Sequence, residues 1–221
     1  RRRLAIKAFQ HTAHYDSVIT NYLDRDTSTK ENNFPTFLPV RFEKLNTLRY
    51  GENMHQQGAF YREMGAAGPS IATATQHHGK AMSFNNVLDA NAAMELALEF
   101  AEPAAAIIKH VNPCGVAVNG RLVDAFISAR DTDPLSAFGG VIGLNRSVDL
   151  ETAKEITSNF VEVIVAPGFH DDALAHLKQK RDLRVLDLGL ETSTTTASIQ
   201  GWSLGVDVKR VKGGLLIQEF D

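Results

Sequence analysis

The chain has 221 residues, room for one large domain or one and a half small ones and for a real hydrophobic core. Its 23 Lys and Arg stand against 26 Asp and Glu, a formal net charge of -3, so no broad basic field exists to hold a nucleic-acid backbone. Cys114 is the only cysteine and the longest apolar run, 104–108, falls far short of the roughly 20 residues of a membrane helix, which excludes a disulfide framework and a membrane span and points to the cytoplasm.

In chain order, Leu4, Ala8, Tyr15, Val18, Ile19 and Tyr22 recur at helical spacing and predict an amphipathic helix over 4–22. The opening Arg1, Arg2 and Arg3 have the charge of a transit peptide, yet no small-residue cleavage signal follows them. With no initiator Met at one end and the apolar Leu215, Leu216 and Ile217 near the other, the chain reads as a piece of a longer polypeptide. Residues 24–39 are polar, with Asn32, Asn33, Pro35 and Pro39, and read as a connector. The expected division is therefore 1–39, helix and connector, and 40–221.

Between Val40 and Asn86, short runs at 59–63 and 71–75 are separated by Gly51, Gly58, Gly65, Gly68 and Pro69, predicting short strands and loops. Asp89 ahead of Ala92, Ala93, Leu96, Ala97 and Phe100 predicts a helix capped by Asp89 and stopped by Pro103. Strands are then expected at 104–108, 141–144, 161–165 and 183–188, alternating with helices at 122–130, 150–159 and 171–180. That order is an α/β layered domain. Residues 191–198 read as a polar loop or edge strand, and 206–217 as a last strand with Gly213 and Gly214 inside it.

Three segments carry chemistry. In Ile107-Ile108-Lys109-His110-Val111-Asn112-Pro113-Cys114-Gly115 an apolar strand ends in Lys-His, and Asn-Pro-Cys-Gly reads as turn chemistry. Ligands gather at such strand ends in open α/β sheets. A His is the default general base near neutral pH, and a neighbouring ammonium stabilises developing negative charge; the plain alternative is a solvated loop. In Leu48-Arg49-Tyr50-Gly51-Glu52-Asn53-Met54-His55-Gln56, Arg49 suits a phosphate or carboxylate and Tyr50 can stack or hydrogen-bond; the alternative is a polar connector. In Asp131 to Gly140 the Gly139-Gly140 pair lets backbone approach a ligand, with a tight turn as the alternative. No Lys-Ser or Lys-Thr follows, so it is no P-loop. His77-His78-Gly79-Lys80 reads as a loop, its two adjacent His pointing apart. Zinc deaminases pair a His-x-Glu with Pro-Cys-x-x-Cys. Here Asn112 stands for the Glu and Ala117 for the second Cys, so zinc-hydroxide chemistry is disfavoured and Cys114 reads as a small buried residue.

On these segments, together with Gly79 to Asn86 and Ala166-Pro167-Gly168, the whole chain resembles the bifunctional purine-biosynthesis family phosphoribosylaminoimidazolecarboxamide (AICAR) formyltransferase/IMP cyclohydrolase. One departure is Met54, where the family usually has Pro. The resemblance implies a cytidine-deaminase-like layered α/β unit without zinc over 40–221, the first half of the formyltransferase portion, with 1–39 leaving the cyclohydrolase domain. It implies formyl transfer from the cosubstrate 10-formyl-tetrahydrofolate to the 5-amino group of AICAR, with no metal in the chemistry. His110 resembles the proton acceptor and Lys109 its partner; Arg49 and Tyr50 resemble nucleotide-binding positions; Gly139 and Glu162 resemble backbone and carboxylate contacts to the ribosyl and carboxamide region. It also implies a homodimer with a shared active site, a C-terminal half beyond this chain, and neither nucleic acid nor membrane as partner. If strands 104–108 and 161–165 were adjacent and parallel, His110 and Glu162 would sit on opposite edges, so either the pairing is antiparallel or two subunits share the site. A zinc-dependent nucleotide deaminase and a non-catalytic interaction fragment are the readings outside this class.

Overall fold

A computed structural model describes residues 1–25, 34–38, 40–64, 68–190 and 206–219. The chain divides into two compact units, Arg1–Arg41 and Phe42–Asp221. The first contains helix α1, Arg2–Arg25, which extends beyond the expected 4–22 at both ends. Its stripe is exposed, with Leu4, Tyr15 and Tyr22 each more than half open. Most of the expected connector, and all of 191–198, lie outside the described residues.

In the second unit, strands β1 (Phe42–Leu48) and β2 (Gly58–Glu63) form an antiparallel pair of their own. The expected strand at 71–75 is instead a turn: the N–H groups of Thr73 and Ala74 both donate to the Ser70 carbonyl, at 3.1 and 2.9 Å. Strand β3 (Thr75–His78) takes the first two residues of what read as the His77–Lys80 loop and pairs with a later strand. Helix α2 (Phe84–Leu98) starts earlier than predicted. Its cap is Ser83, whose hydroxyl accepts the Asn86 N–H while the Asn86 side chain accepts the Ser83 N–H, a reciprocal capping box. Asp89 is therefore mid-helix, freed for other work.

Strand β4 (Ala104–Lys109) is followed by β5 (Asn112–Val118), so the expected Asn-Pro-Cys-Gly turn is a strand and the reversal falls two residues earlier. Pro113 is tolerated because β5 is an edge strand. Then come α3 (Leu122–Thr132), the short α4 (Pro134–Ala137), β6 (Val141–Leu144), α5 (Leu150–Thr157), β7 (Val163–Ala166), α6 (Asp171–Leu177) and β8 (Arg184–Asp187). The predicted alternation is present; its boundaries shift by at most three residues. The last segment is two strands, β9 (Val206–Val211) and β10 (Gly214–Glu219), because the chain turns at Lys212-Gly213 and Val211 pairs with Gly214.

The main sheet has six strands in the order β3-β8-β7-β6-β4-β5. It is mixed: β6, β7 and β8 run parallel, while β4 is antiparallel to both β6 and β5, and β3 to β8. Strand alternation divides the core. Ala105, Ile107, Ile142, Leu144, Ile164 and Val185 face α3, α5 and α6 through Phe126, Ile156 and Leu177. Ile108, Val141, Val163, Val165 and Leu186 face α2 through Ala90, Ala93 and Met94. Burial on both faces explains why these strands read as continuous apolar runs. The small residues of α2 let its axis lie close to the sheet, so polar side chains on the same helix face reach the strand ends. Among the described residues no helix is long and apolar enough to cross a membrane.

Candidate functional site

Lys109 ends β4, and His110 with Val111 forms the two-residue turn into β5, Lys109 pairing with Asn112 across it. Both turn residues have positive φ, 53° for His110 and 63° for Val111. That pattern is the natural one for a two-residue hairpin but favours Asn-Gly. A β-branched Val in the left-handed region costs of order 1–3 kcal/mol and persists only when its surroundings impose it. Here the Asp89 carboxylate lies against the turn. The Asp89 side chain, in a residue only 8% exposed, accepts the His110 N–H at Oδ2 (3.3 Å) and the Val111 N–H at Oδ1 (2.7 Å). The Asn112 amide adds a bond to the His110 carbonyl at 2.7 Å. The turn is tied down by its backbone, while His110 itself stays exposed.

Strand pairing decides which other groups stand beside it. Ile108 opposes Val141 in antiparallel sense, and Val141, Val163 and Arg184 follow in parallel register across β6, β7 and β8. The end of β4 and the beginnings of β6, β7 and β8 therefore meet at one sheet edge. Lys109, His110, Gly139 and Glu162 lie along that edge. The two strands are not adjacent: β6 lies between them, antiparallel to β4 and parallel to β7, which puts His110 and Glu162 at the same edge.

Local bonds order this row. Asp133 caps α4, accepting the Ser136 N–H at 3.0 Å and its hydroxyl at 2.6 Å, and those bonds hold the Asp133 carboxyl below its ordinary range. What read as a tight turn is thus a capped helical turn. Beyond it Gly139, with φ 74°, turns the chain so that its N–H donates to the Phe160 carbonyl at 2.8 Å; the Glu162 N–H donates to the Gly140 carbonyl at 3.1 Å. The Lys109 ammonium donates to the Phe138 carbonyl at 3.1 Å, with the Ser136 carbonyl at 3.5 Å. With three donors on an ammonium, at least one remains for a ligand. The Glu162 carboxylate accepts the Asn86 amide at 2.9 Å and lies 3.8 Å from Arg184.

Arg49 and Tyr50 belong to a different sheet, in the loop after β1. The loop is closed by the Gly51 N–H donating to the Gln56 carbonyl at 2.8 Å, with Met54 at its tip, 85% exposed. Arg49 is exposed and Tyr50 half-buried. The loop reaches the first turn of α2 through the Glu52 carbonyl, 3.5 Å from the Asn85 amide, the outer limit of a hydrogen bond. The neighbouring histidines do diverge: His77 pairs with Asp187 at 2.9 Å, and His78 meets the Lys180 carbonyl at 3.1 Å.

The sequence profile of the AICARFT/IMPCHase bienzymes matches residues 1–221. The chain belongs to the AICARFT/IMPCHase bienzyme family. It is 47% identical over 219 residues to the "Bifunctional purine biosynthesis protein PurH" of Ruminiclostridium cellulolyticum, covering 99% of this chain and 41% of that protein. The chain thus spans about two fifths of the length of this curated relative.

Within the family member described here, sequence reasoning missed Asp89, Asn86 and Arg184. A signal existed for the first two. Asn86 and Asp89 are three apart and share a face with Ala90, Ala93 and Ala97, so two polar residues stand on an otherwise apolar stripe. Among the described residues, no group of three or more His, Cys, Asp and Glu is placed to hold a metal ion. Cys114 packs partly buried against the larger core cluster. Burial pushes its thiol above the ordinary value, with Lys109 opposing. Iodoacetamide at pH 7.5 is therefore expected to modify Cys114 more slowly than a free thiol. Intact-mass kinetics showing free-thiol reactivity would contradict that burial.

Proposed function

We propose that this chain forms part of the AICAR formyltransferase portion of a bifunctional purine-biosynthesis enzyme, with the unit from residue 40 as a zinc-free, cytidine-deaminase-like half. In this reading 10-formyl-tetrahydrofolate gives its formyl group to the 5-amino group of AICAR, and residues 1–39 lead out of the IMP cyclohydrolase domain. The enzyme works in the cytoplasm as a homodimer with a shared active site. Further groups come from a C-terminal half. The observation that carries the reading is the single sheet edge shared by Lys109, His110, Gly139 and Glu162, in a chain whose family is shown over its full length.

The chemistry follows from the nucleophile. The AICAR amine is weak because its lone pair is delocalised into the imidazole and carboxamide, so a base must take its proton as attack proceeds. His110 accepts that proton while the new C–N bond forms and the carbonyl electron pair moves onto oxygen. Lys109 donates to this oxyanion with the N–H not directed at the Phe138 and Ser136 carbonyls. Collapse breaks the bond to the folate nitrogen, which leaves with the proton held by His110. Arg49 and Tyr50 hold the nucleotide, Arg49 through its planar fork on the anionic group. Gly139 through its backbone and Glu162 through its carboxylate orient the ribosyl and carboxamide region.

Calorimetric titration of the complete enzyme tests the assignment. Arg49→Ala weakens AICAR binding by about 1.5 to 3 kcal/mol, the size of a charge-assisted hydrogen bond, and leaves folate binding largely intact. Equal weakening of both ligands would remove Arg49 from the nucleotide site.

A further inference from the structure

We propose that Asp89 is a positioning residue. It holds the His110-Val111 turn in its left-handed form and so aims the His110 imidazole, a role that rests on the reading of His110 as the proton acceptor.

Three observations converge on Asp89. The turn has the wrong residue at its second position: both φ values are positive, and while His is among the types that visit this region, Val111 is β-branched and an outlier there. Asp89 supplies what the residue types do not, because an ionised carboxylate presents acceptors only and its two oxygens are matched to two adjacent backbone donors, His110 and Val111. An Asn there would present one acceptor and one donor, and would leave one N–H of the turn facing another. Finally, Asp89 is held on a rigid element. It is buried beside Ala90 and Ala93 on the face of α2 that packs on the sheet, and Asn86, one turn earlier, bonds Glu162 at 2.9 Å.

One helix face thus reaches both the turn and Glu162. Val111 is 52% exposed, so little packing rewards its conformation. The turn owes its shape to the carboxylate beneath it.

The test is a cycle between Asp89 and Val111 in the complete enzyme. Asp89→Asn lowers kcat about 100-fold, the effect of an ångström-scale misplacement of a catalytic group, and leaves the nucleotide KM within about threefold. Adding Val111→Gly to Asp89→Asn restores most of the lost kcat, since Gly takes positive φ without a clamp. A role limited to stability would lower Tm and show no such rescue. If Asp89→Asn does not fold, the double variant is compared with Val111→Gly alone: near-equal kcat supports the proposal, and a large deficit in the double variant overturns it. Wild-type kcat in a folded Asp89→Asn also overturns it. The reading of His110 is judged separately, by whether His110→Asn loses kcat in an otherwise wild-type enzyme. Independently of that, hydrogen exchange of the His110 and Val111 amides in this chain quickens at least about tenfold in Asp89→Asn if the carboxylate holds the turn; unchanged exchange overturns the proposal.

Discussion

His110→Asn in the complete enzyme is expected to lower kcat for formyl transfer by roughly 10²- to 10⁴-fold, the usual contribution of a general base, with nucleotide affinity nearly unchanged. Asn is the informative replacement because of the backbone. His110 sits at φ 53°, where Asn is among the few residues readily tolerated and is preferred in a two-residue hairpin turn. The bonds from Asp89 to the turn involve backbone N–H groups only, so Asn keeps them. What it removes is the imidazole. His110→Ala would confound loss of the base with a turn residue less suited to positive φ. The measurement is single-turnover formyl transfer, with circular dichroism to confirm the fold. Wild-type kcat in His110→Asn would end the assignment of His110 as the base.

Gly115→Ala is expected to destabilise the fold strongly. Gly115 lies in β5, directly under α3, and a Cβ there would collide with the Ala129 carbonyl oxygen, with the carbonyl carbon at 2.9 Å and the Thr132 Cβ at 3.1 Å. The obstacle is helix backbone, which no rotamer change can move. Relief requires α3 to lift from the β4-β5 hairpin. It would carry Phe126, Ala125 and Ala129, each buried to 1% exposure or less, partly out of the core. Overpacking of this kind costs about 3 kcal/mol. For a chain of this size that lowers Tm by roughly 6 to 12 °C. Gly120→Ala is the control: nothing lies within 4 Å of the place its methyl group would take, and the change is expected within about 0.5 kcal/mol. Calorimetric unfolding in which the two variants melt together would contradict the close approach of α3 to β5.

The alternation of strands and helices after Pro103 was legible because β4, β6 and β7 are buried on both faces and the helices between them on one, so the composition of these segments carries their burial. The failures are local and have physical causes. Asp89 has the chemistry of a helix cap, and only the competing bonds of Ser83 and Asn86 show that the helix begins five residues before it. Asn-Pro-Cys-Gly has the composition of a turn. It becomes strand β5 because the reversal is made by His110 and Val111, residues that propensity would not select, under bonds from a helix distant in sequence. At Gly213 the error ran the other way, a single predicted strand being two strands paired across a turn.

For the candidate site, residue order singled out a Lys-His pair closing an apolar strand and Gly139-Gly140 before the next, while Glu162, at the start of a third, came only from the family resemblance. That these three positions share an edge is a property of the folded sheet. It follows from β4 running antiparallel to β6 while β6 and β7 run parallel, and strand direction depends on long-range pairing that no local pattern encodes. The same holds for Asp89, 21 residues before His110 along the chain. Its function as a clamp exists only because α2 packs on the face of the sheet above the end of β4, where a buried carboxylate finds two backbone donors instead of water.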